Sequence, residues 1–348
     1  ICKINFLLYH IFMKILKIMK EKPLILKKLF IIILLISAIS LTGLTLFLNN
    51  TLNKKIQEDK YILVEKGDSL NKIISKISNI TNIQNKLFLK LTILYKTGFE
   101  SNIRYGEYFF EKNSTINEII KKLIDNKIFY RTITIAEGLS TNSIIEILKN
   151  NEFLTGEIPN NIPEGSLLPE TYTYQKGDTR QSIIKRMQKA MGETFNKYWS
   201  ERDNNLPFKT KKEALTLASI VEKETGLSSE RPLVASVFIN RLKINMKLQS
   251  DPTAIYGYAF GDTKKEKEIK TNILIKQDSP YNTYKIKRLP PTPICNPGKE
   301  AIKAVLNPPK TKYLFFVATG KGGHNFSENY VEHKINVRNY KKIKDSIK

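Results

Sequence analysis

From Leu29 to Leu48 the chain reads LFIIILLISAISLTGLTLFL, 20 residues without a charge. About 20 apolar residues are what an α-helix needs to cross the hydrocarbon core of a bilayer. The stretch is too long for the core of most cleaved signal peptides, and no small-x-small cleavage site with a clear mature start follows it. A buried core helix would satisfy the same hydropathy. Lys14, Lys17, Lys20, Lys22, Lys27 and Lys28 precede it, and the positive-inside rule then puts everything after about Asn50 on the outer side. Lys54, Lys55 and Lys60 weaken that asymmetry without reversing it. The expected layout is a cytoplasmic segment over 1–28, a transmembrane helix over 29–48, a tether over 49–60, a small domain over 61–130 and a larger one over 131–348. The first residue is Ile1, so Met13 or Met19 is the expected start.

Lysine and arginine outnumber aspartate and glutamate 57 to 33, for a net charge of +24. Such an excess suits a polyanionic partner: nucleic acid, an anionic membrane face or an acidic polymer. The excess is mainly lysine, spread along a chain rich in Ile and Asn, so biased codon usage explains it equally well. No basic block interleaved with aromatics and no nucleic-acid-binding motif is present, and no nucleic-acid partner is expected. The two cysteines, Cys2 and Cys295, and three histidines, His10, His324 and His333, show no metal-ligand spacing. Neither metal nor cofactor is expected. Cys2 precedes the apolar stretch, so Cys295 is expected to be a free, inert thiol.

Beyond the anchor, Tyr61–Val64 reads as a strand. Gly67-Asp68-Ser69-Leu70 then supplies a turn and an N-cap for a helix with apolar Ile73, Ile74 and Ile77. Thr115 and Glu118 stand at capping-box spacing before a second helix. The V-x-x-G-D-S-L run from Val64 to Leu70 resembles the small LysM glycan-binding module, and a plain small α+β unit fits the same residues. Ile133-Thr134-Ile135 predicts another strand, Arg180 to Trp199 an amphipathic helix, and Tyr313–Val317 a buried strand.

The segment Leu217–Gly226, LASIVEKETG, reads as an apolar helix ending in acid, base, acid and a terminating glycine. Charged carboxylates are costly to bury, so two acids on a largely buried helix call for an explanation. Residues two apart on a helix point roughly 200° apart, so Glu222 and Glu224 face different ways. One turn from Glu222 lie Ala218, Ser219, Thr225 and Gly226, all small; around Glu224 lie Ile220, Val221, Leu227 and Ser228. Room for a substrate beside Glu222 is one reading, and two ordinary acids at a helix end is the other. Ser228, Ser229 and Pro232 open the following helix. The segments 279–284 and 289–294 are irregular and rich in aromatic, amide and hydroxyl groups, the chemistry that stacks on sugar faces and bonds their hydroxyls.

Together the strings LASIVEKET (217–225), ERPLVASVFINRL (230–242), LQSDPT (248–253), SPYNTY (279–284), LPPTPICNPG (289–298) and YLFFVATGKGGHNFS (313–327) resemble the YceG-like endolytic murein transglycosylases. Arg288 and Thr292 stand where that family commonly has glycine, and Glu170 where it favours aspartate. The resemblance implies an α+β fold: a single N-terminal transmembrane helix, a small LysM-like α+β domain and a larger mixed α+β YceG-like catalytic domain. It implies cleavage of the β-1,4 bond between N-acetylmuramic acid and N-acetylglucosamine in nascent strands, leaving 1,6-anhydro ends and ending strand growth. It implies Glu222 as the one catalytic carboxylate, protonated through burial, with Glu224 a structural acid. By motif and side-chain type, Asn240, Gln249, Asp251, Tyr281 and Asn282 are candidate groove residues, and His324 a residue that orients Glu222 or the glycan. Expected partners are peptidoglycan strands, the membrane and peptidoglycan synthases. The expected location is the bacterial inner membrane, with the catalytic domain periplasmic. A muramidase using water and a non-catalytic glycan-binding scaffold are the alternatives.

Overall fold

The computed structural model describes residues 13, 23–98, 103–262, 265 and 276–346, with only the backbone at 23–27. Cys2, His10 and Lys14 to Lys22 of the expected cytoplasmic segment lie outside them. The chain divides into two compact units, Ile1–Phe129 and Tyr130–Lys348.

In the first unit the uncharged stretch lies within one continuous helix, α1 (Pro23–Leu52). Every side chain from Leu29 to Phe47 is exposed. Among the described residues this is the one helix long and apolar enough to cross a membrane. The residues expected to form a tether over 49–60 are partly helical and partly packed on the first unit. The helix runs on to Leu52, and the residues after it are stitched to the unit: Ile56 N–H donates to Ser114 O at 3.1 Å, and Ile116 N–H to Lys54 O at 3.1 Å. Ile56 is buried and Leu52 packs on the same core, so burying those apolar side chains fixes the segment.

β1 (Lys60–Val64) is followed by α2 (Leu70–Thr81), α3 (Lys86–Lys96), β2 (Gly106–Phe110) and α4 (Ile116–Ile124). β1 and β2 pair antiparallel, with Ile62 opposite Tyr108. Alternation puts Ile62, Val64, Tyr108 and Phe110 on the covered face, against Ile73, Ile74 and Ile77 of α2 and Ile116, Ile119, Ile120 and Leu123 of α4. Ser69 caps α2 by accepting from Lys72 N–H, and Thr115 and Glu118 close a full capping box on α4.

The second unit opens on β3 (Arg131–Thr134), α5 (Thr141–Lys149) and β4 (Thr171–Tyr174), which pairs antiparallel with β3. α6 (Arg180–Ser200) bridges two cores. Ile183, Ile184 and Met187 pack beneath the β3–β4 pair, and Met191 and Phe195 join the larger core built by α7 (Lys211–Glu224), α8 (Arg231–Lys243) and α10 (Lys299–Leu306). α9 (Asp251–Ala259) lies between α8 and α10 in the chain; β5 (Phe315–Ala318), β6 (His324–Ser327) and α11 (Tyr330–Ser346) follow α10. Two local expectations are corrected. The strand expected at 313–317 spans Phe315–Ala318 and is half-buried throughout. Neither Ser228 nor Ser229 caps α8: Glu230 holds the cap position without a side-chain cap bond, because its carboxylate is used by His324.

Candidate active site

α7 starts on a capping box, Glu213 N–H donating to Thr210 Oγ1 at 3.2 Å and Thr210 N–H to Glu213 Oε2 at 2.9 Å. From Thr216 to Glu222 every residue is buried, so the helix is enclosed on all sides and has no solvent face there. It ends at Glu224 because Thr225 turns extended (φ −140°, ψ 131°) and its hydroxyl accepts from Leu227 N–H at 3.1 Å. The expected glycine stop at Gly226 is thus made by Thr225.

Three of the four small residues around Glu222, Ala218, Ser219 and Thr225, are buried. They accommodate other parts of the same unit. Ser219 Oγ accepts from Ile294 N–H at 2.9 Å, which lays the 294–298 segment along this face of α7. Gly298 N–H then donates to Glu222 Oε2 at 2.9 Å, while Arg231 Nη2 holds Glu222 Oε1 at 2.6 Å and reaches Glu137 Oε2 at 2.9 Å. The approach requires glycine at 298, since a Cβ there would overlap the Glu137 carboxyl. The Glu222 and Arg231 side chains are only 4% and 6% exposed. Burial raises the Glu222 pKa against the pull of the Gly298 N–H and the Arg231 charge. Glu222 is buried with both oxygens occupied, one by Arg231 and one by the Gly298 N–H, and the expectation of substrate space beside it is corrected.

Glu224, on the other side of the helix end, is only partly covered. Loss of solvation, reinforced by the neighbouring Asp251 charge, pushes its carboxyl up to about 7. The Ser250 hydroxyl, with His324 and Arg241, works against that rise. Ser250 Oγ is buried and makes no hydrogen bond among the described residues. The residues around Glu224 come from four segments. Asp251 Oδ1 accepts from Tyr284 Oη at 2.5 Å, and Ser250 N–H donates to Thr283 Oγ1 at 2.9 Å, joining the start of α9 to the 279–284 loop. Arg241 is buried on backbone carbonyls, donating to Leu248 O at 2.5 Å and Leu314 O at 2.7 Å, and desolvation draws its pKa down to about 10. His324 Nδ1 lies 2.7 Å from Glu230 Oε2, and His324 N–H donates to Glu230 Oε1 at 2.7 Å.

The expected groove residues divide. Gln249 and Asp251 are exposed, and Gln249 sits in the left-handed region (φ 51°), a costly state for a non-glycine residue. His324 borders the Glu224 side, not Glu222. The other three are used internally. Asn240 Nδ2 donates to Thr311 O and Tyr313 O, both at 3.0 Å. Tyr281 packs against Tyr256 and bonds Thr292 Oγ1 at 2.7 Å. Asn282 is fully buried, donating to Gln277 O at 2.7 Å and accepting from Tyr284 N–H at 3.1 Å. Tyr281 and Asn282 shape the loop that carries Tyr284, and Asn240 ties the 311–313 segment to α8. Sequence reasoning missed Glu137, Arg231, Ser250 and Glu230, whose partners stand up to 94 positions away in the chain. Cys295 is a buried thiol that donates to Ser219 O at 3.3 Å. No cluster of metal-ligating residues occurs among the described residues. A cavity of about 550 Å³, lined by Lys212, Lys287 and Arg288 among others, opens at the first turn of α7. At 1.5 Å per residue that turn lies about 18 Å along the helix from Glu224, so this cavity is not where Glu224 would act.

Residues 62–339 match the YceG-like family. The chain is 32% identical over 306 residues to the endolytic murein transglycosylase of Bacillus subtilis, across 78% of this chain and 82% of that protein. It is 28% identical over 353 residues to the endolytic murein transglycosylase of Streptococcus pneumoniae strain D39, across 87% of this chain but 62% of the relative. A crystal structure of a yceG-like protein from Listeria monocytogenes is 30% identical, with a TM-score of 0.49, over 80% of this chain and 99% of that one. The match runs from β1 into α11 and takes in Glu222 and Glu224, and the chain belongs to the YceG-like family.

Proposed function

We propose that the protein is a membrane-anchored endolytic murein transglycosylase, with Glu224 as its general acid and base. It cleaves the muramic acid–glucosamine β-1,4 bond of peptidoglycan strands and leaves 1,6-anhydro ends. The observation that carries the assignment of Glu224 is its environment: a partly covered carboxyl at a helix end, held near neutral by desolvation and the Asp251 charge. An acid with a pKa near the working pH is protonated often enough to donate and basic enough to take a proton back. Glu224 would donate to the leaving glycosidic oxygen. Its carboxylate would then accept the proton of the muramic 6-hydroxyl as that oxygen closes on the sugar's own reactive carbon. The intramolecular hydroxyl supplies the proximity that water lacks. Tyr284 bonds Asp251, whose charge raises the proton affinity of the carboxyl, and the Ser250 hydroxyl works the other way.

The anchor would be α1, with the N-terminal side cytoplasmic, the rest in the periplasm, and synthases as neighbours at the site of strand growth. The order β1–α2–α3–β2 with antiparallel strands supports a LysM-like reading of the first unit. One observation favours a second reading, a muramidase using water: Asp251 is an exposed second carboxylate whose charge reaches Glu224, and hydrolases use such pairs.

Mass spectrometry of glycan strands digested by the purified full chain separates the two, anhydro ends meaning lyase and reducing ends hydrolase. The pH–rate profile carries a further expectation. Donation needs protonated Glu224, so kcat/KM falls as pH rises above about 7. A rate still climbing through that range would rule out Glu224 as the acid.

A further inference from the structure

α3 reads KLFLKLTILYK, and it is amphipathic with one face too many. Leu89 and Ile93 are buried in the core of the first unit. On the far side, Leu87, Leu91 and Tyr95 repeat every four residues, 65%, 55% and 80% exposed. Water-soluble surfaces rarely leave large apolar side chains in such a row. The helix has no acidic residue, and Lys86, Lys90 and Lys96 flank the row.

What lies next to α3 says what covers it. Phe88 of α3 meets Phe47 of α1 edge-on, ring centroids 6.2 Å apart. Phe47 is the last residue but one of the uncharged stretch, whose 20 residues span about 30 Å, the thickness of the hydrocarbon core. A bilayer covering that stretch ends at the level of Phe88. Apolar residues bordered by lysines, at the height where a spanning helix leaves the hydrocarbon, are the chemistry of an interfacial helix.

We propose that the Leu87–Leu91–Tyr95 face of α3 lies in the membrane interface where α1 leaves the bilayer, with Lys90 and Lys96 on anionic phospholipid headgroups. The proposal rests on α1 spanning a bilayer. α1 and α3 then form a two-point attachment that fixes the orientation of the first unit against the lipid, where one helix alone would leave it free to rotate. Two signals, an inserted segment and basic residues beside an apolar face, bind more firmly than either.

The test uses the full chain in nanodiscs of mixed phosphatidylglycerol and phosphatidylcholine. Trp199 is the single tryptophan. Trp199→Phe keeps its ring stack on Phe195 and clears the background. Leu91→Trp then reports on the α3 face and Ile39→Trp on the anchor, each read by quenching with lipids brominated on the acyl chains. Both are expected to be quenched, with Leu91→Trp emission shifted to the blue and its quenching weaker in discs of phosphatidylcholine alone. Quenching at residue 39 without quenching at 91 overturns the proposal and leaves the anchor standing. No quenching at either site overturns both. A blue shift at 91 without quenching also overturns it, since a protein surface, a second copy or another chain, then covers the face. Equal quenching in both kinds of disc overturns the role given to the lysines.

Discussion

Glu224→Gln is expected to stop release of anhydro-muramic ends, lowering kcat by roughly 10²–10⁴-fold, while the chain stays folded. Gln keeps the shape and removes only the transferable proton. Stability should even improve at neutral pH. The folded pKa of Glu224 is about 7, raised above the ordinary glutamate value of about 4.3. Between those values the folded state binds more protons than the unfolded one, so the Glu224 contribution to stability falls as pH rises through that window. It is fully present below the unfolded pKa and gone above the folded one. Thermal unfolding of the full chain from acid to mildly alkaline pH should show this slope in the wild type and its loss in Glu224→Gln. A Glu224→Gln protein that still releases anhydro ends at the wild-type rate sinks the assignment, most plainly if Glu222→Gln is inactive yet equally stable.

Glu222 and Arg231 carry the other large expectation, on stability. Both side chains are almost fully buried, and the pair is closed by Gly298 and Glu137. Removing one partner of such a pair leaves a buried charge uncompensated, at a cost of about 3–5 kcal/mol. Glu222→Ala and Arg231→Ala should each lower the denaturation midpoint by a corresponding amount. Replacing both with leucine should recover much of the loss, because the desolvation penalty disappears with the charges. Single variants that unfold like the wild type would show that the pair does not hold the end of α7, the 294–298 segment and the start of α8 together. Activity lost by Glu222→Ala is then read alongside its stability, which keeps a positioning defect apart from a chemical one.

The local elements are written in the sequence because their causes are local. Twenty uncharged residues predict α1, the Gly67–Leu70 run predicts the turn and the Ser69 cap, and Thr115 with Glu118 predicts the capping box of α4. The apolar positions 183, 184, 187, 191 and 195 predict the covered face of α6. The motif strings also point to the family, since long runs in a fixed order leave little room for coincidence. By resemblance they pointed to one helix end, with Glu222 as the expected catalytic carboxylate.

The proposal of Glu224 in place of Glu222 rests on the tertiary structure. Helical spacing says that Glu222 and Glu224 point different ways, but not what each meets. Small neighbours around Glu222 suggested space; the 294–298 segment and Arg231 fill it, brought there by chain reversals that no local pattern records. Bulky neighbours around Glu224 suggested a structural acid; the Ser250–Asp251 turn, Tyr284, Arg241 and His324 gather there instead, and their charges and the lost solvation set its proton affinity. A pKa depends on groups within a few ångströms in space, and those groups stand up to 100 positions away in the chain. Local sequence points to a carboxylate at the end of α7, and the proposal that it is Glu224 rests on distant segments that pack around it, because proton affinity is set by neighbours in space and not along the chain.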